Sequence, residues 1–224
     1  MKKVLLSMVA ISIGAVHGYA QSYVFVEGGN AQADLSTSKF KDSVSIWKQD
    51  PQAKDGTVSS DKSSIVYRIG YGYKFSNIVA AELSYENLGE YDAGMNLLAQ
   101  NPAGDTASTN IKESVSVKGA GINIIRNYPI TSTIKLLGGA GVTYLRNERK
   151  NSAIITNYNQ NVQYANVDES NWKLSPTLRL GAEIGLTDNI SARGWYSRYF
   201  NATSIESSGK FDINTFNVGV LISW

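Results

Sequence analysis

A chain of 224 residues with no cysteine and a single histidine, His17, cannot form disulfides or the common zinc sites, and it lacks most nucleophile–base pairs of covalent catalysis. Its 21 Lys+Arg against 19 Asp+Glu offer no basic excess of the kind a nucleic-acid partner needs.

The first element decides which solvent the rest must satisfy. Lys2 and Lys3 form a positive start, Val4 to Val16 a short, mostly apolar core, and Gly18-Tyr19-Ala20 a run of small residues suited to signal peptidase. The apolar stretch falls short of the roughly 20 residues a transmembrane helix needs. Residues 1–20 are therefore expected to be a cleaved signal peptide, with processing before Gln21 and residues 21–224 as one domain. Cleavage removes His17 and two lysines, leaving 19 residues of each charge. No later segment is apolar enough to span a bilayer as a helix.

Eight segments then alternate apolar and polar residues with period two, the mark of strands with one oily and one polar face. They are Tyr23–Ala31, Ser63–Phe75, Ile78–Leu88, Ile111–Ile125, Ser132–Arg146, Asn171–Leu186, Ile190–Phe200 and Asp212–Trp224. Each is near or above the 9–11 residues with which a tilted strand crosses hydrocarbon. Ser76-Asn77, Arg126 to Thr131 and Thr187-Asp188-Asn189 read as short turns. Gln32 to Lys62, Gly89 to Asn110, Asn147 to Ser170 and Asn201 to Phe211 read as long polar loops, the first of mixed charge. Short turns on one side and long loops on the other are the asymmetry of an outer-membrane barrel.

A soluble barrel or sandwich would show the same period. Against it, the polar face is crowded with small residues, among them Gly29, Gly70, Gly72, Gly181 and Gly219. Aromatics such as Tyr67, Phe75, Tyr85, Trp172, Phe200 and Trp224 stand at strand ends on the oily face, where a membrane–water girdle would lie. The fold expected is all-β: an eight-stranded antiparallel up-and-down transmembrane β-barrel, integral to a Gram-negative outer membrane. The fourth segment breaks the pattern, with Val115 and Val117 on one parity and Ile122 and Ile124 on the other. A bulge near Gly119-Ala120 would explain the change.

Parity turns Glu27, Arg68, Lys74, Glu82, Glu86, Arg179, Glu183 and Arg193 inward. Glu82 and Glu183 could be read as a general acid and base. An eight-stranded barrel has room inside only for its own side chains, which favours a structural ion-pair network of Glu27, Arg68, Glu82, Arg179, Glu183 and Arg193 over catalysis. Gly119-Ala120-Gly121 and Gly138-Gly139-Ala140-Gly141 lack the spacing and the Lys-Ser/Thr ending of a phosphate loop. No cofactor or metal is expected.

The chain resembles the transmembrane domain of the OmpA family. The resemblance lies in Ala81 to Gly89, in Asn127-Tyr128-Pro129-Ile130-Thr131 followed by Leu137 to Gly141, and in Pro176 to Phe200 around Gly181-Ala182-Glu183 and Ala192-Arg193-Gly194. It implies a lumenal plug of charges at Glu82, Glu183 and Arg193. The family's fourth-strand lysine falls at Ile125, with Arg126 or Lys135 as candidate substitutes, and the family's peptidoglycan-binding domain is missing. It also implies that Phe216, Val218, Val220, Ile222 and Trp224 form the terminal signal read by the barrel-assembly machinery after passage with periplasmic chaperones.

The function expected is a non-catalytic structural and surface-interaction role through the loops; an adhesin for host surfaces and a narrow low-conductance porin are the alternatives. Expected partners are outer-membrane lipid, lipopolysaccharide and an extracellular ligand, with no nucleic acid and a monomeric state. Small-barrel enzymes of the outer membrane use a histidine, which the mature chain lacks.

Overall fold

The structure, a computed structural model, describes residues 21–205 and 209–224, so the expected signal peptide lies outside the described residues. The elements are β1 (Gln21–Ala33), α1 (Ser38–Trp47), β2 (Ala53–Asp61), β3 (Ser63–Lys74), β4 (Val79–Gln100), β5 (Thr106–Pro129), β6 (Ile134–Thr156), β7 (Val162–Gly185), β8 (Ile190–Ile205) and β9 (Gly209–Ser223). Every strand pairing is antiparallel, and β1 meets β9, so that β1, β3, β4, β5, β6, β7, β8 and β9 close a ring with β2 added on β4.

The three short turns are one local structure repeated. Ser76 Oγ accepts the amides of Ile78 and Val79, Thr131 Oγ1 those of Thr133 and Ile134, and Thr187 Oγ1 those of Asn189 and Ile190. In each, two successive amides bond the same carbonyl, of Val79, Ile134 or Ile190. A short hydroxyl at that position caps the turn while a β-branched residue starts the next strand.

Around the ring the outward side chains form an apolar band. Its edge on the turn side holds Phe75, Tyr128 and Trp224. Its far edge is a girdle of Tyr67, Tyr85, Tyr144, Trp172, Tyr196 and Phe216, in which Tyr196 and Phe216 face each other by register and Tyr144 and Trp172 stack at 4.8 Å. From Tyr67 to Phe75 is about 26 Å of strand at ~3.3 Å per residue, or about 20 Å of height at a tilt of ~40°, somewhat under the ~25 Å of an outer-membrane apolar band.

Three segments expected to be loops are largely strand, the shortest being Asn201 to Phe211, where β8 runs on to Ile205 and β9 begins at Gly209. β4 to β7 contain 22, 24, 23 and 24 residues, so that most of Gly89–Asn110 and Asn147–Ser170 continues the ladders far past the girdle. The first loop also holds structure. Phe40, Val44 and Trp47 recur at helical spacing in α1, which lays Val44 against Gly56 of β2 and Leu97 of β4. The projection is thus a sheet in the order β2-β4-β5-β6-β7, covered at one side by α1.

The expected bulge sits on the neighbouring strand. β5 keeps one parity inward from Glu113 to Asn127, whereas the β4–β5 register shifts between Asn87 and Gly89, opposite Lys118 and Val117. The extra residue, Leu88, turns into the barrel, and Gly89 takes φ +91°. Above this point β4 leaves β3 and pairs with β2. The parity change read in β5 is a change of surroundings. Ile122 and Ile124 face outward within the band, while Val115 and Val117 face inward into an apolar cluster above it with Leu88, Tyr91, Leu145, Tyr199 and Ile213.

Gly89 and Gly104 share positive φ, but a Cβ on Gly89 would also collide with Ser64, whereas Gly104 stands in open space. Gly89→Ala is expected to cost about 2–3 kcal/mol and Gly104→Ala about 1 kcal/mol, read as urea midpoints of the refolded barrel. Equal midpoints would mean that the bulge does not set the bend.

Candidate functional site

The lumen is layered. Nearest the turns lie Tyr23, Phe25, Ala80, Ile125, Leu137, Trp195 and Leu221, and farthest from them the apolar cluster around Val117 and Tyr199. Between the two stand three carboxylates and three guanidinium groups. β1 and β4 bring Glu27, Glu82 and Glu86; β3, β7 and β8 bring Arg68, Arg179 and Arg193. Their side chains are no more than 2% exposed.

Glu82 is the most heavily engaged member. It lies 2.7 Å from Arg193 Nη1, 2.9 Å from Arg68 Nη2 and 3.4 Å from Arg179 Nη1, and it accepts the Tyr23 hydroxyl at 2.8 Å. Glu27 meets Arg193 Nε at 2.7 Å, Arg179 Nη2 at 3.1 Å and Arg68 Nη1 at 3.4 Å. Glu86 meets Arg68 Nε at 2.9 Å and accepts the hydroxyls of Ser84 and Thr143. The guanidinium planes also cover aromatic rings: Arg193 over Phe25 at 4.2 Å and Arg179 over Trp195 at 4.4 Å. Glycine makes the space. A Cβ on Gly72 would overlap the Tyr23 ring, and one on Gly181 would lie 2.7 Å from Trp195.

Of the six residues expected to form the network, Glu27, Arg68, Glu82, Arg179 and Arg193 come together. Glu183 stands apart, nearer the turns. It faces Lys135 across the β6–β7 ladder, with Lys135 Nζ at 3.3 Å. Glu86, which parity also turned inward, takes the sixth place. Glu82 and Glu183 therefore form no acid–base pair: each is occupied by cations, and Glu82 has no exposed surface for a substrate. Arg126 stays outside, over the Tyr128 ring at 5.1 Å, so of the two candidate substitutes for the family lysine only Lys135 reaches an inward carboxylate. Lys135, Lys74 and Glu183 line a mouth of about 420 Å³ at the turn end. Phe216, Val218, Val220 and Ile222 on β9, and Trp224 just after it, all point outward beside the closing seam with β1.

The projecting sheet is the second candidate site. Its outer face is polar. Lys112 and Asp92 pair at 3.0 Å, and that hydrogen bond to Asp92 raises the Lys112 ammonium above its ordinary value. Arg149 and Glu113 pair at 3.0 Å on the inner face, so Arg149 is part of the sheet and not of a free loop. No group of metal-binding side chains occurs among the described residues.

A family model for the outer membrane protein beta-barrel domain matches residues 4–223. No curated protein sequence matches the chain. Among solved structures, Neisserial surface protein A superposes with a TM-score of 0.50 at 14% identity, over 90% of this chain and 96% of that one. Ail of Yersinia pestis gives 0.47 at 12% identity over 92% and 100% of the two chains, and OprG of Pseudomonas aeruginosa 0.39 at 12% over 92% and 98%. At such identities the likeness concerns the fold alone.

Removing one partner from a buried charge cluster leaves the others uncompensated, which costs on the order of 3–5 kcal/mol. Glu82→Ala should therefore lower the urea midpoint of the refolded barrel strongly. Lys118→Ala, which removes a half-exposed partner of Glu148 at 3.3 Å, should cost under about 1 kcal/mol. Similar midpoints for the two variants would contradict the weight given to the cluster.

Proposed function

Because the chain belongs to the outer membrane protein β-barrel family and is integral to the outer membrane, we propose that it is a non-catalytic surface-interaction protein, a filled barrel that anchors a protruding sheet. One observation carries the reading. Four consecutive strands continue as a paired sheet well beyond the apolar band, while the lumen beneath them is occupied by side chains. A sheet held by paired backbone is a stiff surface for recognition, and ordering it costs a ligand little. By the usual sidedness of such barrels the short turns face the periplasm and the projection faces outward.

The remaining roles follow from the same arrangement. Lipid meets the apolar band, and lipopolysaccharide headgroups meet Lys118 and Arg146, which point outward just above the girdle. The assembly machinery reads the outward row from Phe216 to Trp224 on the strand that must find β1. Export uses residues 1–20, with cleavage before Gln21. No histidine or thiol is available to the mature chain for the chemistry that small-barrel enzymes use.

The filled lumen makes a clear demand on ion flow. Planar-bilayer conductance of the wild type should stay near baseline. The double change Glu82→Ala with Glu86→Ala leaves three arginines facing one carboxylate, which should admit water and raise conductance towards anions. A large, steady wild-type conductance would instead favour a narrow porin.

A further inference from the structure

Beyond the girdle the projecting sheet has two edges, on β2 and on β7. The β2 edge is blunted by Lys54, Asp55 and Asp61, as natural edge strands usually are. The β7 edge is different. From Asn151 to Val167 the β6–β7 hairpin contains neither a charged residue nor a proline, and the edge carries its charges, Asp168 and Glu169, only at the end nearer the band. Along β7, Val162 to Ser170 are all exposed, and pairing with β8 begins only at Thr177. Among the described residues, Val162–Ser170 has a strand on one side only, β6. Such an edge offers a row of backbone donors and acceptors to any extended chain.

We propose that Val162–Ser170 docks with the same edge of a second copy carried by an opposing membrane, so that the protein joins surfaces that both display it. Chain direction supplies the first argument. β7 runs towards the band, so a copy in the same membrane presents its β7 in the same sense and could meet it only as a parallel strand. A copy in a facing membrane presents β7 inverted, which gives the more stable antiparallel ladder. The second argument is charge. With the twofold axis at Asn166, Ala165 faces Val167, Tyr164 faces Asp168, Gln163 faces Glu169 and Val162 faces Ser170. No like charges meet, and each carboxylate faces a side chain that can donate a hydrogen bond. Asn166 and the girdle residue Trp172 are separated by about 20 Å of strand, so paired copies would hold the two girdles about 40 Å apart measured along the strands. One short ladder is weak, but many in parallel between two membranes add by multivalency.

This inference rests on the surface-interaction reading and narrows it to one partner. The full mature chain is refolded into phosphatidylcholine vesicles of two colours, and two-colour clusters are counted. Wild-type vesicles should cluster with wild-type vesicles and not with protein-free ones. Asn166→Lys on both populations sets lysine against lysine and should cut clustering at least about fivefold. Asn166→Lys on one colour and Asn166→Asp on the other should restore it. Both variants should keep wild-type heat-modifiable gel mobility, because Asn166 lies outside the barrel. Dispersed wild-type vesicles, clustering with protein-free vesicles, undiminished clustering of the lysine variant, or no recovery in the lysine–aspartate mixture would each overturn the inference. If such a failure coincides with baseline conductance and with capture of other surface material by intact cells, the surface-interaction reading stands without it; a large steady conductance removes that reading itself.

Discussion

In hydrocarbon a backbone amide or carbonyl has no water to fall back on, and this requirement organises the molecule. Between the two rows of aromatics the eight ring strands are paired on both sides, except that β7 from Trp172 to Pro176 meets β8 without a ladder, through Ser175 Oγ donating to the Phe200 carbonyl at 2.8 Å. Where the requirement lapses, the ring opens. β4 exchanges β3 for β2 just past Leu88, and the β7–β8 ladder extends no higher than Thr177 and Tyr199. Among the described residues the free edges of β2 and β7 extend mostly on the side of the girdle where water can satisfy them.

The same closure fixes the width of the lumen, and the width dictates its contents. Three arginines fit beside three carboxylates because each guanidinium uses its rim for ion pairs and its face for an aromatic ring. The rings in turn have room because glycines stand opposite them on the adjoining strands. Backbone, glycine, ring and charge form one packing problem, with an apolar cluster above that keeps it from water.

Much of this was legible in the sequence, because a lipid-facing strand must alternate. The strand segments of the band and the inward charges could be read from parity, and two of the three turns from their residues; Arg126 to Thr131, read as a turn, is strand as far as Pro129, with the turn at 130–133. Height could not. Parity places Glu86 and Glu183 alike in the lumen, but which of them reaches the arginines depends on the stagger between strands, which no single segment records. The projecting strands escaped notice for a related reason. Once outside lipid, as in Glu148-Arg149-Lys150-Asn151, neither face needs to be apolar, so the alternation fades while the ladder continues. The switch of parity near Val117 marks that boundary, although in sequence it has the same signature as a bulge. Two further signals were present but unused: the spacing of Phe40, Val44 and Trp47 in α1, and the recurrence of a hydroxyl at Ser76, Thr131 and Thr187.

Glu27 sits on the first strand of the ring, yet two of its three arginines, Arg179 and Arg193, stand on β7 and β8, across the seam that β9 closes. Until β1 and β9 meet, Glu27 keeps only Arg68, its neighbour across the β1–β3 ladder, and Arg179 and Arg193 lack its charge and hold more of their hydration shells. Water is therefore retained in the nascent lumen until the ring shuts, and zipping the seam and drying the interior become one event. A partly joined seam would leave Arg179 short of both water and its carboxylate on β1, so closure and drying favour each other.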